Sequence, residues 1–142
     1  MRRGDVLILI TVGAGSLAGG LCRYLVSLPW AGQGSDGFPW PTLLANVVGC
    51  GLIGFWFALC VAGGGWYTSP RVQAAVMSGF CGGLTTFSIF SLETLTLLES
   101  DAWMLAVIYV MASLVLWLFA AWAGFIAGCH LLDRRTLEKP CK

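Results

Sequence analysis

The sequence predicts an all-α membrane protein that crosses the bilayer four times. Hydrophobic residues make up 58% of its 142 residues and charged residues only 11%, whereas a soluble domain typically has about 25% charged residues. The mean hydropathy is +0.83, and the apolar residues fall into four segments that reach the ~20 residues needed to span a bilayer. The formal net charge of +1 gives no indication of a nucleic-acid partner. Residues 1–142 are therefore predicted to form a single transmembrane domain.

The four predicted spans are separated by short connections. They run from Val6 to Leu28, Thr42 to Ala62, Val72 to Leu98 and Ala102 to Leu132. The first span follows two arginines, as the apolar part of a signal peptide does, but its length and glycine-rich interior favour an uncleaved helix. Because few residues separate the last two spans, we expect these two helices to form an antiparallel pair.

The third span contains a stretch that is poorly suited to a continuous helix. From Gly79 to Ser91 it reads Gly-Phe-Cys-Gly-Gly-Leu-Thr-Thr-Phe-Ser-Ile-Phe-Ser, and each glycine weakens a helix interior by roughly 1 kcal/mol relative to alanine. We therefore predict a break in which Gly82, Gly83 and Leu84 leave the helical hydrogen-bond ladder. Their carbonyl oxygens could coordinate a hard cation such as Na⁺. Alternatively, the break is a kink relieved by water or by the Thr85 hydroxyl.

Several polar side chains within the spans carry an amide or a hydroxyl group. Asn46 is the only amide of the second span, Thr85, Thr86, Ser88 and Ser91 are clustered in the third, and Tyr109 and Ser113 share a face of the fourth. Phe87 and Phe90 are three residues apart and lie on one helical face, and aromatic ring edges are electropositive. Hydroxyl and amide donors with ring edges suit a small, strongly hydrated anion. The same residues equally suit ordinary helix packing.

Charge placement predicts the orientation of the chain. The cations outside the spans all fall on the side that holds both termini: Arg2, Arg3, Arg71, Arg134, Arg135, Lys139 and Lys142. The opposite loops carry Asp36, Glu99 and Asp101 and no Lys or Arg. The positive-inside rule therefore puts both termini in the cytoplasm. The remaining cation, Arg23, lies inside the first span near its outer end, where it can snorkel or bind a ligand.

Small residues recur at four-residue spacing on three spans. The pairs are Gly15 with Gly19 and Ala45 with Gly49, and a longer series is formed by Ala120, Gly124 and Gly128. Such spacing lets helix backbones approach closely, either between subunits, which we favour, or within one subunit. The six cysteines lack metal-ligand spacing and are interpreted as small apolar packing residues.

Four segments of the chain together resemble the CrcB/Fluc family of fluoride channels. The strongest resemblance is Gly79–Glu93 in the third span, which is similar to the family signature. Gly15–Tyr24 resembles the Gly/Arg pattern of the family's first helix, Thr42–Gly49 the Thr/Asn pattern of the second, and Tyr109 with Ser113 the pair on the fourth. All four spans are thus covered in the family's order.

The resemblance implies a dual-topology dimer, in which two four-helix subunits insert antiparallel and form two pores. Such a channel lets fluoride leave the cytoplasm passively across the bacterial inner membrane and is not an enzyme. The residues implied to line the fluoride pathway are Asn46, Phe87, Phe90, Thr86, Ser88, Tyr109, Ser113, Glu93 and Arg23. The phenylalanine ring edges would face the anion, the asparagine would supply amide donors and the arginine would draw anions into a vestibule. Backbone carbonyls of Gly82 and Thr85 from both subunits would hold a structural Na⁺ that is not transported.

Some features depart from the family pattern. Ile89 stands where the signature usually has Thr, and we expect this difference to tune conductance. The outer loop from Gly32 to Gly37 and the tail from Asp133 to Lys142 are extended. The strong charge bias favours a single orientation and therefore an oppositely oriented paralogue as the dimer partner, with a homodimer as the second possibility.

Two other functions are compatible with the residues. A small four-helix proton-coupled transporter could use Glu93, because a carboxylate within a membrane span is a functional candidate by default. A helical partner subunit that transports nothing is the third possibility, and it leaves the clustered Thr, Ser and Phe residues unexplained.

Overall fold

The chain is all-helical in a computed structural model that describes residues 3–31, 37–61 and 68–137, with side chains described as far as residue 133. Four helical stretches are long and apolar enough to cross a membrane: Gly4–Trp30, Trp40–Val61, Pro70–Glu99 and Trp103–Asp133. Each of the four predicted spans overlaps one of these stretches. The described chain is therefore a multi-pass membrane protein.

Individual helices subdivide these stretches. In chain order they are α1 (Arg3–Ser27), the short 3₁₀-helix Leu28–Trp30, α2 (Trp40–Val61), α3 (Pro70–Gln73), the π-helix Ala74–Cys81, α4 (Gly82–Leu84), α5 (Phe87–Glu99) and α6 (Trp103–Leu137). The elements from α3 to α5 make up the third span. A π-helix inside an α-helical span is rare and occurs frequently at functional sites.

Helices α2 and α6 pack against each other along their lengths. Glycines set how closely they approach, because a Cβ added at Gly54 would overlap the carbonyl of Ala121, and one added at Gly124 would overlap the carbonyl of Gly51. In lipid, this close packing replaces the hydrophobic driving force that associates helices in water.

Helix α1 packs in the same way against the π-helix and α4. A Cβ at Gly19 would overlap the carbonyl of Phe80, and one at Gly15 would overlap the carbonyl of Ala75. The glycines at positions 15 and 19 thus serve packing within one subunit, as do Gly124 and Gly128 on α6. Our preference for packing between subunits is wrong for these four residues.

The helical path of the third span is interrupted at Thr85 and Thr86. Thr85 has φ −81° and ψ 154°, and Thr86 has φ −149° and ψ 126°, so both residues are extended. Gly82–Leu84 is helical. The sequence prediction that these three residues leave the helix is therefore wrong, and the non-helical pair lies immediately after them.

A tight turn joins α5 to α6. Asp101 has φ 60°, which is a left-handed conformation just beyond the end of α5. The Ala102 N–H donates to the Leu97 carbonyl at 2.9 Å and the Asp101 N–H to the Leu98 carbonyl at 3.2 Å, the pattern of a Schellman motif. This turn leaves α5 and α6 packed together, as the short connection predicts.

Some residues used to predict orientation and loop length lie outside the described residues. These are Arg2, Asp36, Lys139, Lys142, the loop at residues 32–36 and the tail from residue 138. The predicted orientation therefore stays a prediction.

Candidate functional site

The side chain of Asn46 holds the interruption of the third span. Its Nδ2 donates to the Thr86 carbonyl at 2.9 Å, and its Oδ1 accepts from the Thr86 N–H at 2.7 Å. Both residues are buried, with 4% and 8% of their surface exposed. Backbone groups freed inside a membrane must find partners, and this one amide satisfies both polar groups of one residue.

Thr86 also begins α5 as its N-cap. Its Oγ1 accepts from the Ile89 N–H at 3.2 Å, as N-cap threonines do, and lies 3.2 Å from the Ser88 Oγ. Thr86 therefore connects the predicted pathway residues Asn46 and Ser88 through its backbone and side chain.

These bonds remove two carbonyls from the helical ladder. In a continuous α-helix, the carbonyls of Gly82 and Thr85 would accept from the N–H groups of Thr86 and Ile89, four residues on. Those N–H groups donate instead to the Asn46 Oδ1 and the Thr86 Oγ1. The two carbonyls predicted to hold a cation are thus among those whose usual helical partners are engaged elsewhere, although Gly82 itself is helical. Such oxygens have the chemistry that a hard cation prefers.

Glu93 is the centre of a second polar group, six residues after Phe87 on α5. Its Oε1 accepts from the Thr42 hydroxyl and its Oε2 from the Tyr109 hydroxyl, each at 2.7 Å. Tyr109 is fully buried and Thr42 is 6% exposed. The carboxylate thus links α2, α5 and α6. Because a hydroxyl has a single hydrogen to donate, neither the Thr42 nor the Tyr109 hydroxyl can donate to another acceptor while it is bonded to Glu93.

Phe90 belongs to the same buried core cluster as Tyr109. Its ring centroid is 5.2 Å from that of Tyr109, 4.9 Å from that of Trp117 and 5.5 Å from that of Phe87. Phe90 is 6% exposed, whereas Phe87 is 70% exposed. The predicted phenylalanine pair does form a contact, with one ring buried and one facing outward.

Thr86 borders two cavities. The larger, of about 470 Å³, is bordered by Arg23, Thr42, Thr86, Ile89 and Glu93 among others. The smaller, of about 160 Å³, is bordered by Asn46, Cys50, Ile53, Thr85, Thr86, Phe87 and Trp117. Arg23 thus borders one of the two cavities and Asn46 the other.

Ser113 lies on α6 one turn after Tyr109 and is fully buried. Its Oγ has no hydrogen-bond partner among the described residues, and the same is true of the buried indole nitrogen of Trp117. The predicted pathway residues thus lie on α1, α2, α5 and α6 or, in the case of Thr86, at the interruption itself, and Tyr109, Ser113 and Phe90 are buried.

Sequence reasoning named Thr42 only as part of the Thr/Asn pattern and did not single out Trp117, although both lie at this site. Thr42 lies one helical turn before Asn46 and Trp117 one turn after Ser113, so both share a face with a predicted residue. That spacing was the available signal. It is weak for Trp117, because the chain has seven tryptophans.

A chain of this size, whose buried polar groups converge on an interruption of a membrane-spanning helix, is a small multi-pass membrane protein built around a polar site. Comparison with known proteins defines the family. The model of the family described as "CrcB-like protein, Camphor Resistance (CrcB)" matches residues 10–125. The chain belongs to this CrcB family, as the resemblance predicts.

Relatives of the chain extend over most of its length. A protein of Bradyrhizobium diazoefficiens named "Fluoride-specific ion channel FluC 1" is 46% identical over 125 residues, covering 88% of this chain and 87% of its own. One of the same name from Rhodopseudomonas palustris is 42% identical over 129 residues, covering 91% and 92%. "Fluoride-specific ion channel FluC" of Paramagnetospirillum magneticum is 38% identical over 123 residues, covering 87% and 96%.

Proposed function

We propose that this protein is a fluoride-selective channel that lets fluoride leave the cytoplasm passively, and that it is not an enzyme. The observation that carries the proposal is the position of Thr86, which Asn46 fixes by two hydrogen bonds and which borders both cavities. The names of its relatives, "Fluoride-specific ion channel", support the choice of ion.

The chemistry of the two cavities suits a strongly hydrated anion. A pore for such an ion must replace its hydration with donors, yet bind it weakly enough at each point to release it. Arg23 borders the larger cavity and attracts anions there. In the smaller cavity the second N–H of the Asn46 amide is available, because only one of its two donors is engaged by Thr86. Fluoride thus passes from Arg23, by way of Thr86, to Asn46 and the ring edge of Phe87.

The hydroxyl groups beside Glu93 contribute differently. Tyr109 and Thr42 both donate to the carboxylate, so neither can donate to fluoride while Glu93 accepts from it. An anion that accepts from the Tyr109 hydroxyl therefore either displaces the Glu93 carboxylate or binds while Glu93 is protonated. Passage along α6 is accordingly coupled to the position of this carboxylate, whereas passage by Asn46 is not.

A structural Na⁺ at the dimer centre is the second part of the proposal. The carbonyls of Gly82 and Thr85 would hold it, and their release from the helical ladder supports the assignment. The ion would supply fixed positive charge that keeps the carbonyls of two subunits together. It would not be transported.

The proposed assembly is an antiparallel dual-topology dimer in the bacterial inner membrane, with both termini of this chain in the cytoplasm. The exposed ring of Phe87, with 70% of its surface free, supports a pathway whose second wall comes from another subunit. Because seven cations lie on one side of the membrane and none on the other, we favour an oppositely oriented paralogue over a second copy. Cysteine-accessibility mapping of the chain expressed alone tests this choice, and equal populations in both orientations would contradict it.

A proton-coupled transporter is the second candidate function. Glu93 favours it, since a carboxylate with two hydroxyl donors borders the 470 Å³ cavity within a membrane span. Protonation of such a group could accompany transport.

Fluoride efflux from liposomes containing the purified protein distinguishes these functions. A channel releases fluoride down its own gradient once potassium and valinomycin balance charge, and an imposed pH gradient does not drive this efflux. A proton-coupled transporter requires the pH gradient and loses that response in Glu93→Gln. A partner subunit without transport activity gives no more efflux than empty liposomes.

A further inference from the structure

The larger cavity has a charged residue of each sign on its walls. Arg23 and Glu93 both border this space of about 470 Å³. A single small ion needs far less room, and cavities of about 300–1,000 Å³ are typical of sites for small organic molecules. An occupant larger than an ion therefore fits here, whichever ion the protein transports.

The two charged groups do not neutralise each other. The Glu93 carboxylate accepts from the hydroxyls of Thr42 and Tyr109, and the Arg23 guanidinium forms no hydrogen bond or ion pair with another of the described residues. A carboxylate has about four acceptor positions, so these two bonds leave Glu93 able to accept more. An arginine within a membrane span is costly without a partner. Each group can therefore bind a ligand group of the opposite charge.

The cavity lies at the level of the membrane surface. Trp30, at the end of the 3₁₀-helix, and Pro41, at the start of α2, both border it, so it opens at the end of the spans where α1 ends and α2 begins. Tyr24 also borders it, with 60% of its surface exposed. Trp and Tyr are enriched where lipid headgroups meet the apolar core of the bilayer. The exposed side chain of Ile89 on the same cavity offers an apolar contact for an acyl chain.

We propose that this cavity binds the headgroup of a zwitterionic phospholipid, with the phosphate on Arg23 and the ammonium group on Glu93. A guanidinium can donate two parallel hydrogen bonds to a phosphate, and an ammonium group has three donors for a carboxylate. Phosphatidylglycerol carries the phosphate without the ammonium group, so it satisfies Arg23 and gives Glu93 no opposite charge. The site therefore prefers phosphatidylethanolamine to phosphatidylglycerol.

Native mass spectrometry of the purified protein compares the two lipids with matched acyl chains. We expect the wild type to bind phosphatidylethanolamine about tenfold more tightly than phosphatidylglycerol, as for one charge-assisted hydrogen bond. Arg23→Gln removes the phosphate ligand, so we expect it to bind both lipids about tenfold more weakly. Glu93→Gln removes only the ammonium ligand, so we expect it to lose affinity for phosphatidylethanolamine alone. A variant that merely misfolds would not distinguish the lipids in this way.

Arg71→Gln and Glu99→Gln are the matched controls. They remove the same charges from residues that are exposed and do not border the cavity, and we expect both to bind the lipids as the wild type does. Equal binding of the two lipids by the wild type would overturn the proposal. So would undiminished binding of phosphatidylethanolamine by Arg23→Gln or Glu93→Gln.

Two other occupants of the cavity give different results in the same measurement. Glycerophosphoethanolamine has the headgroup without acyl chains, and we expect it to bind far more weakly than the lipid. Binding as tight as that of the lipid would assign the cavity to a soluble zwitterion and contradict the lipid site. A dimer that retains neither lipid would show that the second subunit fills the cavity, which would also overturn the proposal.

Discussion

Asn46 forms two hydrogen bonds with the backbone of Thr86, at 2.9 Å from Nδ2 to the carbonyl and 2.7 Å from the N–H to Oδ1. The two residues are separated by 40 positions and lie on different spans. This pairing allows a membrane helix to stop and restart, and it places the asparagine amide against the smaller cavity. The structure of the third span and the proposed pathway thus depend on the same side chain.

Asn46→Asp tests that dual role. The aspartate accepts from the Thr86 N–H but cannot donate to the carbonyl, and it places a like charge where fluoride passes. At about 4 Å, a repulsion of roughly 4 kcal/mol is expected for partly screened charges. We therefore expect fluoride efflux from liposomes to fall more than about a hundredfold. Val48→Ala, an exposed position on the same helix, is the control, and wild-type flux in Asn46→Asp would contradict the assignment.

Thr86→Ala tests the N-cap of α5. Removing the hydroxyl leaves the Ile89 N–H without its acceptor and is expected to lower the free energy of unfolding by about 1 kcal/mol. Thr86→Ser keeps the oxygen and should be close to wild type. Thermal unfolding in detergent compares the two variants. If alanine and serine are equally stable, the capping bond does not stabilise the interruption.

The two phenylalanines should respond differently to isoleucine. Phe87→Ile alters a ring that is 70% exposed, so we expect efflux to fall while the unfolding temperature stays unchanged. Phe90→Ile removes a buried ring that contacts Tyr109 and Trp117, and we expect both efflux and stability to fall. Parallel flux and unfolding measurements check this contrast. Equal destabilisation by the two substitutions would mean that Phe87 is packed as tightly as Phe90.

Gly54→Ala tests the packing of α2 on α6. Its added methyl group would overlap the carbonyl of Ala121, so we expect a loss of about 1–3 kcal/mol of stability from overpacking. Gly51→Ala is the matched control on the same helix, because its Cβ would lie 3.6 Å from the Ala120 carbonyl, an ordinary contact. Both are compared by thermal unfolding in detergent, and a neutral Gly54→Ala would show that the helices can separate freely.

Much of the fold follows from hydropathy, because the lipid environment requires long apolar helices with satisfied backbones. Hydropathy does not predict where the third span is interrupted. Two glycines suggest a break at Gly82 and Gly83, whereas the extended residues are Thr85 and Thr86, because their position depends on hydrogen bonds from Asn46 in another span. Four-residue spacing likewise identifies Gly15 and Gly19 as packing residues without identifying the helix they pack against.

The candidate site, like the fold, is only partly predictable from the sequence. Family resemblance predicts Phe90 and Tyr109, and their ring centroids lie 5.2 Å apart. The resemblance gives no sign of Trp117, because an indole in an apolar helix is unremarkable in sequence. Only its burial without a hydrogen-bond partner distinguishes it from the exposed Trp122.

Comparing fluoride with chloride efflux tests the central claim most directly. The purified wild-type protein is placed in liposomes loaded with equal concentrations of the two potassium salts, and each anion is followed with its own electrode after valinomycin is added. The account predicts rapid fluoride efflux with chloride efflux no greater than that of empty liposomes. Chloride efflux as fast as fluoride efflux, or no efflux of either ion, would contradict it.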